Sequence, residues 1–443
     1  NLRPANEQPD EGKRQAHSKE VVDETEYVSS IVCVLRRDLT SRSRLDPTPL
    51  IVSPALCQLP TDPVMGAESN GHLRNGVSRR KRAKAGPPQP DFLYNGLWND
   101  LTSLNWVRVP TSSLFLMSIP VLLYLQWQII SPNASNPFKY LLMIQYPVAG
   151  TSNPVMYQKG YGDIAFLAYY VIVFSFIRQG LTFYVLRPLA WKMGIKKEAK
   201  LDRFAEQGYA IVYFGISGTL GLWAMYNSPA WYFQGRHYFQ DYPYWKMTKF
   251  MKSYYLLQYA YWLQQFLILV LRLEKPRKDF TELVIHHIVT IWLITGSYVV
   301  NFTPIGNAVF ITMDVSDFFL AISKCLNYLK FDITSAIAFA WFTCVWTYTR
   351  HWLNWCILWS VYYDFDLIPK WAQQWAPETG AWLAPWMKWQ IFIPLALLQC
   401  VNLLWYLPIW RVLYRAVFKN QYADERSDDE DDGQPDDEND KDD

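Results

Sequence analysis

The sequence predicts an all-α, polytopic membrane protein of about eight transmembrane helices, with disordered termini. Three observations carry that reading. Eight stretches are apolar over roughly the 20 residues needed to cross a bilayer. Trp and Tyr are dense: 17% of the 443 residues are aromatic and 21 are Trp, a usage that suits membrane interfaces. Cationic loops alternate along the chain with aromatic ones. The mean hydropathy of −0.07 hides this, because it averages a very apolar middle with two polar ends.

Taken in order, residues 1–95 lack a sustained helical or strand period and are rich in Pro, Ser, Arg and acidic residues, so they read as disordered. The basic run Arg79-Arg80-Lys81-Arg82-Ala83-Lys84 reads as a positive-inside anchor rather than a nuclear signal. The spans are expected near 112–131, 163–187, 207–226, 252–271, 282–301, 306–329, 333–361 and 387–411. The loop after span two carries Arg187, Lys192, Lys196, Lys197, Lys200 and Arg203. The loop after span four carries Arg272, Lys275, Arg277 and Lys278, and span eight is followed by Arg411, Arg415 and Lys419. The opposite loops hold Trp231, Tyr232, Tyr238, Phe239 and Tyr242, then Trp371, Trp375, Trp382 and Trp386. The positive-inside rule therefore assigns both termini to the cytosol, in keeping with an even span count.

Asn133 begins a glycosylation sequon in the first lumenal loop, and Asn301 begins another that lies too close to the bilayer for ready modification. The tail from Asp424 holds 13 acidic residues against Arg426 and Lys441, and Ser427 within it is a candidate phosphorylation site. Six scattered cysteines without a CxxC pair indicate neither a disulfide framework nor a metal site. A Gly-rich phosphate loop, a GxSxG elbow and any nucleic-acid motif beyond the basic run are missing.

The chemistry concentrates in residues 282–329, two apolar segments joined by a turn signal at 301–307 that contains Pro304 and Gly306. His286, His287, Asp314, Asp317 and Lys324 lie within those segments, and ionisable groups in hydrocarbon mark a functional site by default. Adjacent helical residues point about 100° apart, so the two histidines cannot face one narrow groove. A neutral imidazole, the cheaper form in low dielectric, is a usable base or nucleophile. Asp314 and Asp317 are three apart on one helical face and need cationic partners, a shared proton or a wet cavity. At about 1.5 Å per residue, His286 lies ~22 Å from the turn and Asp317 ~17 Å, in the same half of the bilayer. An Asp accepting from a histidine N–H would fix that ring's tautomer. From the residues alone, a structural hydrogen bonder, a metal or haem ligand set, an ion path and a catalytic centre all stay open.

The run HHIVTIWLITGSYV followed by ITMDVSDFFLAISKCLNYL resembles the signature motif of ceramide synthases, including the D-x-x-D spacing and the closing Lys324, Asn327 and Tyr328. LEKPRKDF (Leu273 to Phe280) and Trp410-Arg411-Val412-Leu413-Tyr414-Arg415 before an acidic tail are similar to the fungal members. The likeness covers about residues 100–430. It implies two leading spans in 96–200, a TLC domain in 201–420 whose helices enclose an acyl cavity, and an acidic cytosolic tail in 421–443. It further implies an endoplasmic reticulum enzyme that joins a sphingoid-base amine to the acyl group of a long or very-long-chain acyl-CoA. On this chain the implied catalytic residues are His286 and His287, supported by Asp314 and Asp317. Candidate substrate contacts are Lys324, Asn327, Arg350, His351, Arg277 and Lys278, while Lys196, Lys197 and Arg203 are further candidates for the CoA phosphates. Acyl-CoA is the substrate, with no cofactor and no metal. The expected partners are membrane lipids, a small single-span subunit or a second copy of the chain, and no nucleic acid. The rival reading is a non-catalytic TLC-type lipid sensor or translocation-associated protein, which would not need the histidine pair.

Overall fold

Among the described residues, eight long helical rods build the protein, and their ends are set by local chemistry. The computed structural model describes residues 94–419, apart from 95, 152–153, 274–278, 377 and 379–380. The predicted disordered N-terminal region, the Arg79–Lys84 run, Lys275, Arg277, Lys278, Ser427 and the acidic tail lie outside the described residues. Helix α1 is Pro110–Ile130 and starts on a proline, whose missing N–H costs nothing in a first turn. Helix α2 runs Gly162–Lys192, through a π-helical stretch at Thr182–Leu186. Helix α3 is Glu198–Tyr226. Helix α4, Lys249–Val270, is capped by Thr248, whose hydroxyl accepts the Met251 N–H at 3.2 Å.

Helix α5 is Phe280–Val299 and α6 is Thr303–Tyr328. The turn between them is tighter than the sequence suggests. Asn301 takes a left-handed φ of 63°, which Asn tolerates better than most residues, and Pro304 then opens α6 instead of lying in a loop. Helix α7 starts as Asp332–Trp346, passes through a π-helical segment Thr347–Leu353, and finishes as Asn354–Tyr363. Helix α8 is Met387–Lys419.

Six of these rods, α1, α2, α3, α5, α6 and α8, are long and apolar enough to cross a membrane. Of the other two, α4 carries Lys249, Lys252, three glutamines and four tyrosines, and α7 carries Arg350 and His351. The chain is thus a multi-pass, all-helical membrane protein. The described strands are only two two-residue antiparallel pairs, Met156–Tyr157 with Met247–Thr248 and Trp375–Ala376 with Ala381–Trp382.

Helix α6 is the centre of the packing, lying against α3 on one side and α7 on the other, while α5 rests between α4 and α8. The α3–α6 approach is close because α3 presents Gly215 and Gly218. A Cβ on Gly218 would already touch Val315 and Asp314 at 3.6–3.7 Å. One end of the bundle, where α2 meets α3 and α6 meets α7, is the basic end. The other is closed by an aromatic cap. Of the loop aromatics at this second end, Tyr238, Phe239 and Tyr242 are buried against Phe302 and Phe365 in a packed core. Trp231, Tyr232, Trp371, Trp375 and Trp386 remain exposed.

A buried ion pair fastens α2 to α4 at the aromatic end. Lys252 is fully buried and places Nζ 2.8 Å from Asp163 Oδ1. The ammonium also donates to the carbonyls of Gln145 (2.9 Å) and Gln158 (2.7 Å). Asp163 Oδ2 accepts from the Tyr298 hydroxyl of α5 (2.7 Å) and from the Gly160 N–H (2.8 Å). Removing one member of such a pair leaves an uncompensated charge. Lys252→Met is expected to destabilise the protein by about 3–5 kcal/mol, and Lys252→Met with Asp163→Asn by less. The thermal midpoint of purified protein in detergent checks this; equal midpoints for wild type and Lys252→Met would show that the pair carries no stability.

Candidate functional site

The two histidines of α5 are both buried and are gripped by two tryptophans. Trp262 of α4 lies with its ring centroid 5.7 Å from each imidazole, and the imidazoles are 5.6 Å apart. Trp405 of α8 closes over His286 at 5.2 Å. The one-residue offset on a helix makes the two rings nearly perpendicular, with an interplanar angle of 83°. His287 Nδ1 sits 2.8 Å from the Leu283 carbonyl, one turn back. A carbonyl oxygen can only accept, so Nδ1 carries the hydrogen and, in the neutral ring, Nε2 carries the lone pair. His286 Nε2 is 3.5 Å from the Thr290 hydroxyl, and its buried Nδ1 has no hydrogen-bond partner among the described residues.

The two aspartates of α6 go separate ways. Asp314 is fully buried, and its Oδ2 accepts from Gln258 Nε2 of α4 at 2.7 Å. Gln258 also donates to the Tyr254 hydroxyl (3.1 Å) and accepts from the Tyr213 hydroxyl, so the hydrogen bonds that continue from this carboxyl run through neutral side chains. Asp317 instead faces α7, where Arg350 donates to its Oδ1 at 2.5 Å. Arg350 further donates from Nε to Ser316 Oγ (2.7 Å), from Nη1 to Asn402 Oδ1 (3.2 Å) and from Nη2 to the Met313 carbonyl (3.3 Å). Its guanidinium lies 4.1 Å from the Trp346 ring centroid. The tautomer of His287 is therefore fixed by a backbone carbonyl, not by the aspartate contact the sequence allowed. The physical reason is competition, since a guanidinium outbids a neutral imidazole for a buried carboxylate.

Two cavities meet at His286. One, of about 260 Å³, opens at the basic end and is charged, with Arg178, Arg272, Lys324 and Arg350 among its walls together with Asp317 and His287. The other, of about 550 Å³, runs toward the aromatic end between α5, α6 and α8 and is almost wholly apolar. Trp262 and His286 line both. His287 lines only the charged one.

The structure thus brings His286, His287, Asp317, Lys324 and Arg350 to one cavity and places Asp314 behind it. His351 is buried elsewhere along α7, its Nδ1 accepting from Gln399 Nε2 at 2.8 Å. Asn327 is half-buried and lines neither cavity. Lys196 folds back on Trp191, donating to its carbonyl at 2.9 Å, and Arg203 pairs with Glu206 at 3.5 Å. Asn133 is exposed, whereas Asn301 is buried at 2% accessibility, which leaves its sequon out of reach. Sequence reasoning missed Trp262, Trp405 and Gln258. Gln258 left a signal, a polar residue in the middle of an expected span; the tryptophans did not stand out among 21.

A family model described as the TLC domain matches residues 203–411, which takes in α3 to α8 except for the first turn of α3 and the last turns of α8. Sphingosine N-acyltransferase lac1 of Schizosaccharomyces pombe is 43% identical over 291 residues, covering 66% of this chain and 74% of that protein. Ceramide synthase LAG1 of Saccharomyces cerevisiae is 38% identical over 349 residues, covering 78% and 82%. Sphingosine N-acyltransferase-like protein FUM17 of Gibberella moniliformis is 40% identical over 295 residues, covering 65% and 75%. With the buried histidine pair at the junction of a charged and an apolar cavity, these relatives place the chain in the ceramide synthase, or sphingosine N-acyltransferase, family of TLC-domain membrane acyltransferases.

Proposed function

We propose that the protein joins the amine of a sphingoid base to a long or very-long-chain acyl group delivered as acyl-CoA, using His286 and His287. The observation that carries this reading is the position of His286, on the boundary between a charged and an apolar cavity. An acyl-CoA is itself divided in this way, with a polyanionic head, an apolar tail and a reactive thioester between them. A tail in the apolar cavity and a head at the basic end bring the thioester carbon to His286. The positive-inside rule turns the basic end to the cytosol, where acyl-CoA is soluble, in the endoplasmic reticulum membrane.

The reaction runs by way of an acyl-imidazole. A ring nitrogen of His286 attacks the thioester carbonyl, the C–S bond breaks, and the proton released from the other ring nitrogen goes to the sulfur, so that CoA leaves as the thiol and a neutral acyl-imidazole remains. The sphingoid amine then attacks the acyl-imidazole carbonyl, the C–N bond to the ring breaks, and the amine proton passes to His287 Nε2, which the Leu283 carbonyl keeps in its basic tautomer, and from there to the departing His286 nitrogen, so that both rings end neutral. Asp317, neutralised by Arg350, and Asp314, held by Gln258, keep α6 fixed beside the reacting rings.

In purified protein supplied with acyl-CoA and a sphingoid base, His286→Ala and His287→Ala are each expected to lower amide formation by roughly 10²–10⁴-fold. Unchanged rates in both variants would refute the site. With acyl-CoA alone, wild type is expected to gain the mass of one acyl group on the peptide containing His286, and His286→Ala to gain none. CoA release that strictly requires the base, with no adduct at any time, would replace the covalent route by direct attack.

The linker between α7 and α8 contributes Trp375 to the wall of the apolar cavity. Exchanging residues 364–386 for the linker of a relative with another acyl preference is expected to change the acyl length of the product, read by mass spectrometry. An unchanged length profile would remove the linker from specificity.

A further inference from the structure

We propose that Gly296 sets how deep the apolar cavity stays open, and so determines the longest acyl chain the site accepts; this rests on the acyl-transfer reading above. Gly296 lies in the last turn of α5, ten residues beyond His286, which is a depth of ~15 Å along the helix axis. It lines the apolar cavity. Glycine is unfavourable inside a helix, so its presence there needs a reason.

Packing does not supply one. The neighbouring helices press on the other glycines of the α3–α6 core. A Cβ on Gly215 would come 3.1 Å from the Phe318 ring, one on Gly208 would come 2.9 Å from Leu186, and one on Gly306 would strike the Tyr255 ring at 2.8 Å. At Gly296, apart from its two chain neighbours and the helix's own backbone, no heavy atom of the described residues lies within 4 Å of the place a Cβ would occupy. Backbone conformation does not supply one either, because Gly296 is not among the glycines with positive φ. The adjacent polar side chains are already engaged with α4: Thr295 Oγ1 is 2.6 Å from the Tyr259 hydroxyl, and Ser297 pairs with the Tyr255 hydroxyl. What the missing side chain provides is empty width in the cavity wall, at a level below which Val300, Phe302 and Ile305 still line open space. A tail longer than the distance from His286 to Gly296 must pass this point.

Gly180 supplies a matched control. It also lies inside a long helix, has nothing within 4 Å of its Cβ position, and lines neither cavity. The full-length protein is given an equimolar mixture of saturated acyl-CoAs of increasing length with one sphingoid base, and the amides are resolved by mass spectrometry. Gly296→Leu is expected to raise the ratio of short to long products by about tenfold or more, the discrimination that a clash of methylene size ordinarily gives in an apolar site. Gly296→Ala is expected to shift the ratio in the same direction by less, and Gly180→Leu to leave it unchanged. An unchanged ratio in Gly296→Ala and Gly296→Leu, or a fall in rate that is equal at every length, would overturn the assignment. Absence of any amide product from wild type would instead overturn the acyl-transfer reading.

Discussion

The guanidinium of Arg350 is the contact on which the rest of the bundle depends. A cation this deep between helices persists only if its donors are used, and here they reach Asp317, Ser316 and the Met313 carbonyl on α6 and Asn402 on α8. One side chain of α7 thereby fixes the spacing of three helices. Its own placement depends on the π-helical segment Thr347–Leu353, a geometry that often marks functional sites in helices. The effect extends to the histidines, because Asn402 and Trp405 are three residues apart on one face of α8. Holding Asn402 on Arg350 sets the height at which Trp405 covers His286.

The remaining polar load is spread so that no two networks compete. Asp314 is satisfied by the neutral Gln258 across a seam where glycines let α3 and α6 approach closely. At the aromatic end the Lys252–Asp163 pair, joined by Tyr298, ties α2, α4 and the last turn of α5 together. Helix α5 is thus anchored at its far end by Tyr298 and Ser297, and near its start by the two tryptophans around the imidazoles. Between these anchors the apolar cavity opens along α5, walled by residues of α6 and α8.

Much of this fold is legible in the sequence, for reasons that differ by residue. The long rods follow from runs of about 20 apolar residues, a constraint the bilayer imposes locally. His286 and His287 are legible because burying them in hydrocarbon is costly, whatever they touch. The partners of Asp314 and Asp317 are not legible. They lie 56 residues away at Gln258 and 33 residues away at Arg350, and only helix packing decides which carboxylate meets which donor. Trp262 and Trp405 are hidden for another reason: an aromatic in a span looks the same whether it faces lipid or an imidazole. Tyr238, Phe239 and Tyr242 show the converse, since loop aromatics that suit an interface became the core of a cap once Phe302 and Phe365 met them.

The adjacency of the histidines then acquires a physical meaning. A pair spaced three or four apart would stack both rings on one face and give them one environment. Two consecutive residues cannot do this, because the helix turns about 100° between them. His286 is left on the wall shared by both cavities, where a thioester would straddle them, while His287 is turned into the charged cavity alone, where a proton can be passed on. The Leu283 carbonyl completes the division by fixing which nitrogen of His287 is protonated, without consuming a carboxylate that Arg350 requires. The two imidazoles are therefore given different surroundings by helical geometry alone, before any difference in their chemistry is invoked.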